Sequence, residues 1–446
     1  MDVFGKRQTV GFLLSASLFC LALFPPHLTA SALTLAWDPN AEPDLAGYKV
    51  YYGTQPGIYG SVLDVGNVTQ YTVTGLEPET RYYFSLTAYD TSRNESGFSA
   101  EVSAGTDPPH QLVSGLGGTS GGWIEAFAVD YSHADWLRVG WTRYNSANGE
   151  ARIATGDIDG DGRDEIIVGL APVWEQPYPK GYFEVLNDDH VRLAWGQINW
   201  STYNDLNGES WPACGDIDGD GYDEIIIGLG RNGGGWFEVF DYDAVNLVHK
   251  AWGRVNWSSY NSTMGETHPA CGDIDGDGYD EIIIGLGRDG GGWFEVFDYD
   301  AANLVHKAWG RVNWSPYNNA NGETRPACGD IDGDGYDEII IGLASYPANG
   351  GWFEVFDHDA AHLLHKIWKR INWPAYNSAN GETRPACGDI DGDGYDEIVI
   401  GLGVGAWGYM EVFDDAHAGC AHLAWPRVHW EAYNSANGET WPALKK

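Results

Sequence analysis

The sequence predicts an all-β protein: a six-bladed β-propeller of four-stranded blades, preceded by a small β-sandwich. Three observations predict it. An acidic loop recurs five times at near-constant spacing, each repeat carries four strand-like runs, and the two ends of the array are complementary pieces of one repeat. The chain has 446 residues, enough for more than one domain. Its formal net charge of −39 leaves no basic face for nucleic acid or for an anionic membrane. The acidity does not read as disorder, because 14% of the residues are aromatic and 21 are Trp, plenty to bury.

Residues 1–32 read as an export signal. Lys6 and Arg7 supply the positive start, and Gly11 to Phe24 is an apolar run too short to span a bilayer comfortably. Pro25 and Pro26 break that run, and Ala30-Ser31-Ala32 is a small-x-small cleavage site. The expectation is a secreted, periplasmic or cell-surface monomer with no membrane insertion after signal removal. Five cysteines follow: Cys214, Cys271, Cys328, Cys387 and Cys420. The count is odd, and four recur in the same Ala-Cys-Gly-Asp context, so they read as small buried residues rather than a disulfide frame.

Residues 33–106 alternate apolar and polar positions between turn signals, as in Tyr48-Lys49-Val50-Tyr51-Tyr52 and Tyr82-Tyr83-Phe84-Ser85-Leu86. Several short strands at this spacing predict a sandwich. Leu35-Ala36-Trp37-Asp38, Gly47 to Tyr52, the run from Leu76 through Pro78, Thr80 and Tyr82 to Phe84, and Ala88-Tyr89-Asp90 with Asn94-Glu95-Ser96 resemble a fibronectin type III domain. That resemblance implies a spacer or protein-binding module. Residues 107–110, opening with Asp107-Pro108-Pro109, read as a linker.

The array occupies 111–446 and divides into 111–162, 163–221, 222–278, 279–335, 336–394 and 395–446. Units 222–278 and 279–335 differ at seven of 57 positions, which points to recent duplication. The array begins with Gln111 to Gly117, which matches the apolar strand after an acidic loop, and it ends with Glu439-Thr440-Trp441-Pro442-Ala443, which matches the strand before one. The two ends should therefore pair and close the ring, which removes exposed sheet edges.

Each acidic loop reads Asp-Ile-Asp-Gly-Asp-Gly-x-Asp-Glu. Carboxylates at positions 1, 3 and 5 converge if the backbone turns tightly, and Gly at 4 and 6 permits the turn. Hard oxygen donors without Cys or His favour Ca²⁺. The predicted ligands are Asp157, Asp159, Asp161, the carbonyl of Arg163 and Glu165 in the first loop. Asp216, Asp218, Asp220, Tyr222 and Glu224 form the second set, and Asp273, Asp275, Asp277, Tyr279 and Glu281 the third. Asp330, Asp332, Asp334, Tyr336 and Glu338 form the fourth, and Asp389, Asp391, Asp393, Tyr395 and Glu397 the fifth. Asp at position 8 is the alternative to Glu at position 9. About five structural Ca²⁺ are expected, with strongly calcium-dependent stability. The loops resemble the calcium loops of the integrin-α type (FG-GAP, VCBS-like) propeller repeats, with Glu where that family has Asp at position 9.

On the opposite face, Trp200, Tyr203 and Asn204 recur as Trp257, Tyr260 and Asn261, as Trp314, Tyr317 and Asn318, and as Trp373, Tyr376 and Asn377. Two readings stand side by side. The repeated aromatics fill the wedges between blades while the amides fix loops, or aromatic faces and amides form shallow sugar sites. The functional expectation is binding or adhesion toward a carbohydrate or an extracellular protein. The alternative is a lyase-like polysaccharide-degrading enzyme. No unrepeated acid/base or nucleophile set stands out, so no catalytic residue is assigned.

Overall fold

The computed structural model describes residues 12–16, 31–37, 39–40, 42, 44–76, 80–105, 111–172, 180–187, 190–243, 245–300, 303–346, 350–358, 362–416 and 419–445. Most of the expected signal, the linker, and the middle of the insertion between Ala171 and Lys180 lie outside these residues. The described chain is all-β, and its helices are only four to six residues long. Among the described residues no helix is long and apolar enough to cross a membrane. Contacts divide the chain into two units, 1–110 with 391–395 and 111–390 with 396–446.

The first unit holds two antiparallel sheets. Phe12–Ala16, Ser31–Trp37 and Gln70–Leu76 make one, and Ser61–Gly66, Leu45–Gly53, Arg81–Asp90 and Val102–Gly105 make the other. Phe12–Ala16 falls within the expected signal and pairs with Leu33 to Trp37. The alternation seen in the sequence buries Leu33, Leu35, Trp37, Tyr48, Val50, Tyr82 and Phe84 in one core.

The second unit holds six four-stranded antiparallel sheets. A representative sheet runs Ser210–Gly215, Glu224–Leu229, Trp236–Tyr242 and Leu247–Arg254, in that order. The second strand is buried at every residue, which explains its unbroken apolar run: it has a strand on each side and apolar neighbours on both faces. The strand before each acidic loop joins the three strands after it. The units read from the sequence are therefore offset from the sheets by one strand. In the sixth sheet Thr440–Lys445 pairs antiparallel with Gln111–Leu116, with Thr440 opposite Leu116 and Lys445 opposite Gln111. The first strands neighbour one another in series, and the series returns from Thr383–Gly388 through Thr440–Lys445 to Ala151–Gly156.

The second residues of these first strands line a cavity of about 90 Å³, among them Arg152, Trp211, His268, Arg325, Arg384 and Trp441. Arg152 donates to Glu150 and Glu209, and its guanidinium lies 3.6 Å from the Trp211 ring centroid. Arg384 bridges Glu382 and Glu439 and lies at the same distance, 3.6 Å, over Trp441. Each buried guanidinium thus has carboxylate partners, as burial of charge demands.

Sequence periodicity predicts no helix, yet six short ones follow the outer strands, as Ser201–Leu206 does. A helix of one or two turns is too short to display a 3.6-residue period. The five later cysteines are unbridged, and burial pushes the Cys271 thiol well above its ordinary pKa.

Candidate functional site: acidic loops and aromatic cages

In the loops opened by Asp157, Asp216, Asp273 and Asp330 the first Asp organises the turn. Asp216 Oδ1 accepts from the backbone N–H of Gly219 (2.7 Å) and Asp220 (3.1 Å), and its Oδ2 from Gly221 (3.0 Å). Gly219 sits at φ +72°, and a Cβ there would lie 2.0 Å from the ring of Tyr279 in the next loop. The glycine thus serves both the turn and the seat of a neighbouring side chain. Asp220 Oδ1 accepts from Tyr222 N–H at 3.0 Å, so position 5 is used in holding its own turn.

Positions 1, 3 and 9 converge. One carboxylate oxygen from each of Asp216, Asp218 and Glu224 lies within 4.8 Å of the others, and the same holds for Asp157, Asp159 and Glu165. Asp273, Asp275 and Glu281, then Asp330, Asp332 and Glu338, and then Asp389, Asp391 and Glu397 repeat the triad. The position-5 carboxylates are not members of these triads. Asp223 turns away, accepting from Asp157 N–H at 3.0 Å while its own N–H donates to Asp157 O at 2.9 Å. It ties one loop to the next, and burial, then Asp280, pushes its pKa up to about 7.

The donor set fits a hard cation. All three donors are carboxylates, and Asp218 Oδ1, Asp275 Oδ1 and Asp332 Oδ1 are buried acceptors without hydrogen-bond partners. A feature missed in the sequence divides the loops into two kinds. Lys250 Nζ donates to Asp218 Oδ2 at 2.6 Å and to Glu224 Oε1, with Asp241 Oδ2 3.8 Å away. Lys307 and Lys366 do the same for Asp275 with Glu281 and for Asp332 with Glu338. Each lysine is the extra residue of a β-bulge. At the same bulge Leu193 and Leu423 serve the loops of Asp157 and Asp389. Burial, then Asp159, pushes Glu165 up to about 8, whereas the lysine-paired Glu224, Glu281 and Glu338 rise to about 7.

At the opposite edge of the sheets, the repeated Trp side chains line cavities. Trp200 with Trp236, Trp252 and Asn199 bounds one of about 340 Å³, and Trp257 with Trp293, Trp309 and Asn256 bounds one of about 370 Å³. The rings of Trp236 and Trp252 stand at 82° with centroids 5.9 Å apart. Trp314 with Trp352 and Trp368, Trp373 with Tyr409 and Trp425, Trp141 with Tyr182 and Trp195, and Trp123, Trp136 and Trp430 repeat the grouping. A fully buried carboxylate lies beside each cage: Glu238 accepts from Asn199 N–H at 2.8 Å and from its Nδ2 at 2.6 Å.

The tyrosines and asparagines proposed beside these tryptophans are packing groups. Tyr203, Tyr260, Tyr317 and Tyr376 are buried, stack beneath the Trp rings, and donate to a glutamate backbone carbonyl. Asn204, Asn261, Asn318 and Asn377 are buried and donate Nδ2 to a backbone carbonyl of the preceding turn. Their side chains are buried, and none of them is among the residues lining the cavities of about 340 and 370 Å³. The cage partners Trp236, Trp252, Trp293 and Trp309 were legible only as strand residues.

Residues 26–104 match the fibronectin type III domain model. This segment is a fibronectin type III domain. A stretch of 97 residues is 37% identical to the Kelch domain-containing protein SSO1033 of Saccharolobus solfataricus, covering 20% of this chain and 13% of that protein. A stretch of 154 residues is 26% identical to integrin alpha-PS2 of Drosophila melanogaster, covering 30% of this chain and 11% of that protein. The chain thus spans a small part of these relatives. Among solved structures it is similar to the exotype rhamnogalacturonan lyase YesX, at 13% identity and TM-score 0.35, covering 88% of this chain and 80% of that one. The Bacillus licheniformis rhamnogalacturonan lyase PL11 is similar at 12% identity and TM-score 0.34, covering 83% and 86%.

Proposed function

We propose that residues 111–446 form a closed, calcium-stabilised six-bladed propeller of the integrin-α (FG-GAP) type, exported with its fibronectin type III domain, that binds carbohydrate at the junctions between blades. The observation that carries this reading is the sixfold repetition of an aromatic cage beside a buried carboxylate. Aromatic faces suit the C–H faces of a sugar ring, and an edge amide such as Asn199 suits its hydroxyls. Cavities of about 340 and 370 Å³ lie within the size range of small-ligand sites. Several weak sites on one ring gain strength together on a polymeric or cell-surface glycan, which suits adhesion. Catalysis calls for one unrepeated set of reacting groups, and here the cage residues recur.

The five triads would hold Ca²⁺, which would neutralise carboxylates that crowd one another in each turn. A glycan array probed with calcium-loaded protein tests the reading. Binding is expected, and Trp252→Ala with Trp309→Ala should weaken it while leaving the circular dichroism spectrum unchanged. Absence of any bound glycan, or degradation of a polysaccharide by the protein, would overturn it.

A further inference from the structure

We propose that the cages select anionic glycans of the uronic-acid class, using a guanidinium held against an aromatic wall residue in five of the six cages. This rests on the carbohydrate reading above and narrows it. Directly across the strand pair from Trp236 stands Arg254, and Trp293, Trp352 and Trp123 face Arg311, Arg370 and Arg138. Tyr409 faces Arg427 through an isolated bridge. The guanidinium carbons of Arg138, Arg254 and Arg311 each lie 4.9 Å from the ring centroid they cover, and those of Arg370 and Arg427 lie 5.1 Å away.

Arg138, Arg254 and Arg311 donate Nε to the carbonyls of Gly121, Gly234 and Gly291, at 2.8, 2.9 and 3.0 Å. The ring contact and this bond fix each side chain from within the cage wall. The three side chains are exposed, and among the described residues no carboxylate pairs with them. Arg427 is partly engaged, with Glu431 at 3.0 Å, and the sixth position holds Gln197 in place of arginine.

Packing alone would explain an arginine over a tryptophan. It does not explain why exposed cations are placed against the wall residues of aromatic cavities in a chain with a formal charge of −39. Across most of such a surface an anionic polymer is repelled. The carboxylate of a pyranuronate projects from the edge of the ring. A sugar stacked in the cage would therefore direct it toward the wall residues, where a guanidinium fork can take both oxygens. Neutral sugars need only the rings and the amide.

The test is calorimetric titration of the calcium-loaded full chain with oligomers of galacturonate, glucuronate and mannuronate, each beside its methyl ester. At least one acid form is expected to bind about tenfold or more tighter than its ester, the yield of a charge-assisted hydrogen bond. The preference should shrink with added salt. A quintuple variant, Arg138→Gln, Arg254→Gln, Arg311→Gln, Arg370→Gln and Arg427→Gln, copies the natural Gln197 and should abolish the preference while esters still bind. Gln197→Arg should increase it. Equal binding of acid and ester, or a preference that survives in the quintuple variant, overturns the inference. If neutral glycans alone are bound, the uronate inference falls and the carbohydrate site stands. If no glycan binds, both fall.

Discussion

Replacing Lys250 by Leu, the residue that occupies the same bulge at positions 193 and 423, separates the effect of a lysine from that of a metal ion. The Lys250 side chain is 13% exposed and bridges Glu224, at 1%, and Asp218, at 28%. Removing the ammonium leaves two carboxylates facing each other with no counter-charge. Breaking a buried pair costs about 3–5 kcal/mol, and the partial exposure of Asp218 places this one at about 3 kcal/mol. In excess calcium the ion takes up the same oxygens and Lys250 can move toward Asp241, 3.8 Å away. The penalty should then fall below about 1 kcal/mol, because an ion bound well above its dissociation constant adds roughly 2–4 kcal/mol to the folded state. The assay is urea unfolding of wild type and variant, each in calcium and in chelator. An equal penalty in both media would refute the argument, since it would mean that no ion shares the carboxylates of Asp218 and Glu224.

Three further outcomes are expected. In chelator, Glu165 holds its proton up to about 8 against an ordinary value of 4.5, so the folded state binds more protons than the unfolded chain between these values. Stability should therefore fall as pH rises from about 4.5 to about 8, by at most about 5 kcal/mol for this group, and calcium should flatten the slope; unfolding curves across that range check it. Gly253→Ala should cost about 1–3 kcal/mol, because its Cβ would lie 2.0 Å from Cζ of the fully buried Phe237; urea unfolding measures this. Deleting residues 440–446 should leave the Gln111–Leu116 edge unpaired and produce aggregation visible by size-exclusion chromatography.

Much of this was legible in the sequence because the repeats are near copies. The repeated run Glu224 to Leu229 marked a strand, and the matching ends at Gln111 and Thr440 marked paired strands, in which Thr440 stands opposite Leu116, 324 positions earlier. Other features were not legible, for physical reasons. Lys250 approaches its loop only through a bulge in the outer strand, and a bulge leaves no periodic trace in one sequence. Trp236 and Trp252 lie 16 positions apart and meet Trp200 only when two sheets pack, so spacing could not assemble the cage. Tyr203 and Asn204 looked like ligand groups because they recur beside Trp200, whereas recurrence there records a buried turn.

The loops and the cages sit at opposite ends of the same strands, and that separation decides how they influence each other. Glu224 opens the second strand at the acidic loop, and Leu229 closes it before the turn that leads to Trp236. Six residues of strand span about 20 Å, too far for an ion at one end to touch a sugar at the other. Interaction between them must therefore pass through the stability of the sheet. A sheet that remains folded should present the same Trp200, Trp236 and Trp252 geometry whether Lys250 or Ca²⁺ neutralises the loop. Lys250→Leu in chelator should accordingly lower the melting temperature yet leave glycan affinity within about twofold of wild type when measured well below the transition. A loss of affinity at a temperature where circular dichroism reports intact sheets would show that the ion shapes the cage directly, and would refute the division between a stabilising face and a binding face.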